Sequence, residues 1–334
     1  MKSKHESLIA ISLVSLLLVG GILTYVPALE KQEFKASSSM GGIQYSFDCN
    51  VPSYTHAVVM AGCEKYDFET ILFLRDTGYQ TSIDPKDLNA LYDDLTLLCK
   101  RYGSISVLAV NVNEMLEKID SSDVKKVGLL FATGYYPKPL YDGTDQSPIV
   151  EWLDRGGVII NIGGPFGKYV SDSSGVTAVE GYGELFLHAP DSVFNDPPER
   201  VFTTNRQAQS VENALGVHFT EYTYGINISA LSEYSVVGNV SEEGFASAVY
   251  LKIRNGELVN IGAVAGDYRE YEYFVAQLIS SGWSHSAEIV EYHTYGASKS
   301  NSGDFPLEPG NYRIYGWIGS LYPVYGKYYD LTVV

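Results

Sequence analysis

Four short runs of unbroken apolar residues, each followed by an amphipathic stretch, constrain this chain more than any other feature. They are Thr70–Leu74 (TILFL), Ile105–Val110 (ISVLAV), Val127–Ala132 (VGLLFA) and Val158–Ile162 (VIINI). A strand that is apolar at every position is buried on both faces, so it belongs inside a sheet covered by helices. The helices are legible between the runs. Asp84 and Pro85 supply an N-cap and a first helical residue, and Leu88, Leu91, Leu95, Leu98, Cys99 and Tyr102 form one apolar stripe ending near Gly103. Asn111 to Ile119 reads as a short helix. Ser147-Pro148 opens another, IVEWLDR, which Gly156-Gly157 stops. The expectation is an α/β fold: a flavodoxin-like, mainly parallel sheet with flanking helices and right-handed crossovers.

Beyond this core the signals change. Lys168 to about Arg206 is rich in Gly, Pro and Asp with weak periodicity, and reads as an elaborated insertion. Ala246–Ile253 and Glu257–Val264 flank Asn255-Gly256, a type I′ hairpin signal. A helix from about Glu270 to Ser281, stopped by Gly282, closes one edge of the sheet. AEIVEYHTYG, NYRIYGWIG and KYYDLTVV are strand-like, so residues 284–334 are expected to be a small antiparallel β appendage. Alternation on the middle strand puts Arg313, Tyr315 and Trp317 on one face, expected to pack on the α/β domain. Two shorter strands, Ile43–Phe47 and His56–Ala61, precede the core. The extracytoplasmic α/β domain is taken as residues 43–283, after a polar stalk at residues 30–42.

Leu8 to Leu29 carries no charge between Glu6 and Glu30, and about 20 apolar residues at helical rise match a bilayer core. Lys2 and Lys4 precede it, within a short cytoplasmic N-terminus at residues 1–7. The expected location is the cell membrane, as a single-pass anchor with the C-terminal domain outside. The apolar length favours retention, and secretion after cleavage near Ala28 is the alternative.

A formal net charge of −17 repels phosphate backbones, which excludes nucleic acid as a partner. The membrane, through the N-terminal helix, and a protein or glycan are the expected partners. Twenty-seven tyrosines suit half-buried strands and wet contact surfaces. Of the three cysteines, Cys99 lies in a helical stripe, and Cys49 and Cys63 are the candidate disulfide. Three cysteines without clustered histidine give no metal site, and no cofactor is expected. Asn227-Ile228-Ser229 and Asn239-Val240-Ser241 are glycosylation sequons.

In open parallel sheets, ligands bind beyond the carboxyl ends of the strands. Those ends carry Arg75 and Asp76, Asn111, Thr133-Gly134-Tyr135, and Gly163-Gly164, which are the ligand-binding candidates. The stretch from Val127 to Gly167 has a strand ending Ala-Thr-Gly-Tyr-Tyr-Pro, a helix with Trp152-Leu153, then Arg155-Gly156-Gly157-Val158-Ile159 and a strand running into Gly163-Gly164. It resembles the class I glutamine amidotransferase-like superfamily. Active members of that family place a nucleophilic Cys on the turn after the equivalent strand. Here the turn reads Asn161-Ile162-Gly163-Gly164-Pro165, so the resemblance implies a non-catalytic relative. No G-x-S-x-G, P-loop or His-Glu-x-x-His motif occurs. The sequence thus points to a membrane-anchored, extracytoplasmic, non-catalytic binding or assembly module without catalytic residues. The alternative is an exported glycan-acting hydrolase using a carboxylate pair at the strand ends.

Overall fold

A computed structural model describes residues 32–63, 66, 68–200, 206–216, 222–264, 271–319 and 323–334. The apolar runs form strands at their expected places: β3 (Thr70–Leu74), β4 (Ser106–Val110), β5 (Val127–Phe131) and β6 (Val158–Gly163). Between them lie α1 (Pro85–Gly103), α2 (Val112–Ser121) and α3 (Pro148–Asp154). Asp84 caps α1 by accepting from the Lys86 amide at 2.7 Å. Asn111 and Glu114 form a reciprocal capping box on α2.

These strands join β7 (Tyr234–Val236), β8 (Ala248–Ile253) and β9 (Gly256–Gly262) in one seven-stranded sheet, ordered β7-β8-β9-β6-β5-β3-β4. The pairs from β9 through β4 are parallel, whereas β7, β8 and β9 pair antiparallel. The β8–β9 turn is Arg254-Asn255, one residue earlier than the expected Asn255-Gly256, with Arg254 at φ +54° and Ile253 opposite Gly256.

The flavodoxin-like expectation is corrected by what surrounds this sheet. A second, five-stranded antiparallel sheet is built from both ends of the chain: β1 (Glu33–Ser39), β2 (Gly42–Ala61), β10 (Glu288–Pro306), β11 (Gly310–Gly319) and β12 (Pro323–Val333). Its five strands hold more residues than the seven of the first sheet, so the chain is a strand-dominated, mixed and antiparallel structure. The expected stalk contains β1. The expected appendage is not separate, because β10 runs beside β2 along nearly its whole length and β11 pairs the second half of β2.

The two strands expected before the core are one strand, β2. It carries Pro52 through its middle, where the β10 pairing skips residues opposite Ser53. A bulge there accommodates a residue that has no N–H to donate.

Packing follows the alternation. On one face of the mixed sheet, α1 and α4 (Tyr271–Ser281) lie between the two sheets, sharing a core with Val58, Met60, Tyr315 and Trp317. Arg313, Tyr315 and Trp317 therefore face the α/β layer, as expected. The opposite face carries α2, α3 and the segment around Tyr182–Phe194. The antiparallel sheet curls over a core of its own, including Phe34, Phe47, Val59, Ile314 and Ile318. The Tyr329 hydroxyl donates to the Phe34 carbonyl at 2.9 Å, drawing β12 back beside β1.

The single-pass membrane location is also corrected. Among the described residues no helix is long and apolar enough to cross a membrane. The expected anchor, Leu8 to Leu29, lies outside the described residues.

Candidate functional site

The strand-end candidates fall into groups that hold loops in place. Asp76 accepts from the Gly78 amide at 2.8 Å and from the Val112 amide at 3.0 Å. Asn111, beside it, is occupied as the α2 cap. The exposed Arg75 lies over the Tyr92 ring, 5.8 Å from its centroid. On the neighbouring strand, the Thr133 carbonyl accepts from the Ser82 amide at 2.8 Å, and the Thr133 hydroxyl donates to the Tyr135 carbonyl. Gly134 has φ +71°, and a side chain there would meet Ser82. Tyr135 sits edge-on to Tyr169.

Beneath them, Asn161 accepts from the Tyr136 hydroxyl at 2.6 Å and donates to the Gly164 carbonyl and to Asn260. Gly163, at φ +134°, occupies the turn where the resemblance would require a cysteine. Gly164 packs toward the Tyr224 ring. The segment 77–83 thus lies across the strand ends, tied at Ser82 to Thr133 and at Gln80 to Ser171. Asp76, Asn111, Thr133 and Gly164 spend polar groups on the chain itself, whereas Arg75 is exposed.

The cysteine pairing is overturned. Cys49 lies within β2 and Cys63 just beyond its end, and all three cysteines are free thiols. Fourteen extended positions separate them by roughly 45 Å at strand rise, far beyond disulfide reach. Burial pushes the Cys63 thiol up to about 11. Of the sequons, Asn239 is 6% exposed with its Oδ1 unpartnered inside the protein, which leaves no room for a glycan. Asn227 is half-buried, and its Oδ1 accepts from the Ser229 amide and hydroxyl. Among the described residues no group of three His, Cys, Asp or Glu could hold a metal ion.

A recess of about 420 Å³ opens instead on the antiparallel sheet, lined by Gly62 and Cys63 and by residues of β11 and β12. Two adjacent cross-strand pairs face it, Asn311 opposite Thr332 and Arg313 opposite Asp330. The Arg313 side chain is 1% exposed and the Asp330 side chain 40% exposed. Its guanidinium holds both Asp330 oxygens, Nε at 2.7 Å and Nη2 at 3.0 Å. It also donates from Nη1 to the Gly282 carbonyl and lies over the Tyr328 ring at 4.2 Å. Desolvation would lower the Arg313 pKa, but hydrogen bonding and attraction to Asp330 outweigh it and raise it further. Beside this pair, the Thr332 hydroxyl donates to Asn311 Oδ1 at 2.8 Å, leaving the Asn311 amide N–H groups toward the recess.

The Arg313–Asp330 pair was missed because the strand pattern treats Arg313 as one residue of a packing face. The available signal was an opposite-charge pair directly across a tyrosine-rich hairpin.

No family model matches the chain, and no curated protein matches it. No family model therefore ties it to the class I glutamine amidotransferase-like proteins. Among solved structures, the crystal structure of beta-galactosidase from Bacillus circulans sp. alkalophilus is similar over 82% of this chain, at 10% identity and a TM-score of 0.35. The chain spans 41% of that protein's length, and a likeness this slight carries no functional argument.

Proposed function

We propose that this chain is a non-catalytic binding module that takes a hydroxyl-rich ligand of sugar size in the recess between β2, β11 and β12. The observation that carries the reading is Asp330, half-exposed to the recess and held in a fixed orientation by a buried arginine. A carboxylate immobilised this way keeps lone pairs for two neighbouring ligand hydroxyls at little entropic cost. Asn311 adds amide donors on the same face, and the recess volume lies in the range of small-ligand sites. At the strand ends, Asp76, Asn111 and Thr133 are already engaged with the chain, which favours the recess over that region.

A glycan-acting hydrolase needs two carboxyl groups about 5 to 9.5 Å apart across the scissile bond. The recess lining offers one, Asp330. Binding without bond cleavage fits that lining better.

The test is an amide NMR titration with a panel of neutral mono- and disaccharides. Shifts at Asn311, Asp330 and Thr332 are expected, and Asn311→Leu should weaken binding about tenfold, the value of one good hydrogen bond. A panel that moves none of these amides, or moves them equally in Asn311→Leu, overturns the proposal.

A further inference from the structure

Directly behind Gly62 and Arg313, two residues that line the recess, runs the segment between α4 and β10, and it is held from two sides. Toward the antiparallel sheet, the Gly282 carbonyl accepts from Arg313 Nη1 at 2.7 Å. The Ser284 and Ser286 hydroxyls both donate to the Gly62 carbonyl, at 3.2 and 2.6 Å. Between those serines, His285 points the other way, into the end of the mixed sheet. Its backbone N–H and its Nδ1 both engage the same oxygen of Glu257. Glu257 is fully buried near the start of β9, and its second oxygen has no hydrogen-bond partner.

His285 is flanked on its far nitrogen as well. Glu233, exposed at the surface ahead of β7, places a carboxylate oxygen 3.9 Å from Nε2. Tyr250 of β8 and Cys63 lie close enough to feel the Glu257 charge. Arg313 and Asp330 lie beyond Cys63. Two carboxylates thus face one imidazole from opposite sides.

We propose that His285 and Glu257 form a proton-dependent pin for the back wall of the recess, so that ligand affinity falls as pH rises through the titration of His285. This rests on the recess being the ligand site. With a proton on His285, the buried carboxylate has a cation against it. Without one, a charge with no access to water faces a neutral ring, and one of its oxygens has no donor at all. Displacing the segment outward admits water to that carboxylate. The same displacement loosens the serine anchors on Gly62 and the Gly282 anchor on Arg313, which position Asp330.

The experiment is a histidine-ring and amide NMR titration of the whole protein between pH 5 and 9, without ligand. The expected result is one midpoint shared by the His285 ring and the Gly62, Cys63 and Gly282 amides. That transition disappears from the three amides in His285→Gln. If His285→Gln does not fold, Glu257→Gln serves, and the shared midpoint moves down because one carboxylate is gone. Wall amides that stay flat while the His285 ring titrates overturn the pin, as does a wall transition surviving in His285→Gln. The sugar panel, repeated at pH 6 and pH 9, separates the two readings. The pin predicts a loss of affinity on the order of tenfold. A wall that titrates with no sugar bound at either pH sinks the ligand reading alone, and equal affinity at both pH values sinks the pin alone.

Discussion

The His56 ring lies flat on the Trp317 indole, with centroids 3.5 Å apart and planes within 2° of parallel. Its Nε2 donates to the Gly319 carbonyl at 3.3 Å, so its Nδ1 accepts from the Thr294 hydroxyl at 3.1 Å. In the neutral form these two bonds satisfy both ring nitrogens, joining β2, β10 and β11 at one point.

Burial pushes the His56 pKa from 6.5 down to about 4. Below pH 6.5 the unfolded chain binds a proton here that the folded chain refuses. Stability contributed by neutral His56 is therefore present above the unfolded value and lost as pH falls toward 4. The loss is on the order of 3 kcal/mol over that window. Urea unfolding at pH 7 and pH 4.5 should show a drop that His56→Gln reduces, and an identical drop in both proteins would refute the assignment.

Asp330→Asn should lower stability by about 3 kcal/mol, the low end for breaking a buried pair, because Asp330 itself is half-exposed while Arg313 is not. Arg313→Met with Asp330→Asn should recover part of the loss, since no unpaired charge then remains inside. Equilibrium urea unfolding measures both. Equal stability of wild type and Asp330→Asn would mean that water, rather than Asp330, solvates the guanidinium.

Gly134 tests whether the strand ends are structural. An alanine at φ +71° costs about 1–2 kcal/mol of backbone strain, and its methyl also collides with Ser82. Gly134→Ala should lower the melting temperature without changing saccharide shifts at Asn311. Adding Ser82→Gly should relieve the collision but not the strain, so partial recovery is expected.

The thiols give a chemical check on the topology. Alkylation in denaturant without reductant should add three adducts, and reductant should leave the melting temperature unchanged. Under native conditions Cys63 should react first, and slowly at pH 8, because burial raises its pKa to about 11 while Cys49 and Cys99 are more deeply covered. One adduct instead of three would restore a disulfide.

What was legible in the sequence was local. Asp84-Pro85 announces α1 because cap chemistry acts within one turn, and VIINI announces a covered strand because burial on both faces removes alternation. The partners of β2 were not legible. Two strands were expected where one runs through Pro52, with a bulge opposite Ser53. Nothing in the residues around Tyr45 specifies Gly303 as its neighbour, since backbone ladders carry no side-chain code. The site was hidden for the same reason. Arg313 and Asp330 acquire meaning only once β11 and β12 are in register, and His285 only once the ends of both sheets meet.

The length of β2 also bears on how the chain is made. Its first half waits for Ser300–Pro306, some 250 residues later, while the α/β layer needs only contacts within the intervening chain. Pairings of that separation close slowly, because the loop entropy is lost before any contact repays it. During synthesis, β1 can cover one edge of the first half of β2 at once, whereas the second half leaves the ribosome with both edges open until the last strands follow. Its hydrophobic second half, His56 to Met60, is then the segment most exposed to misassociation, and the final fifty residues act as its resident chaperone.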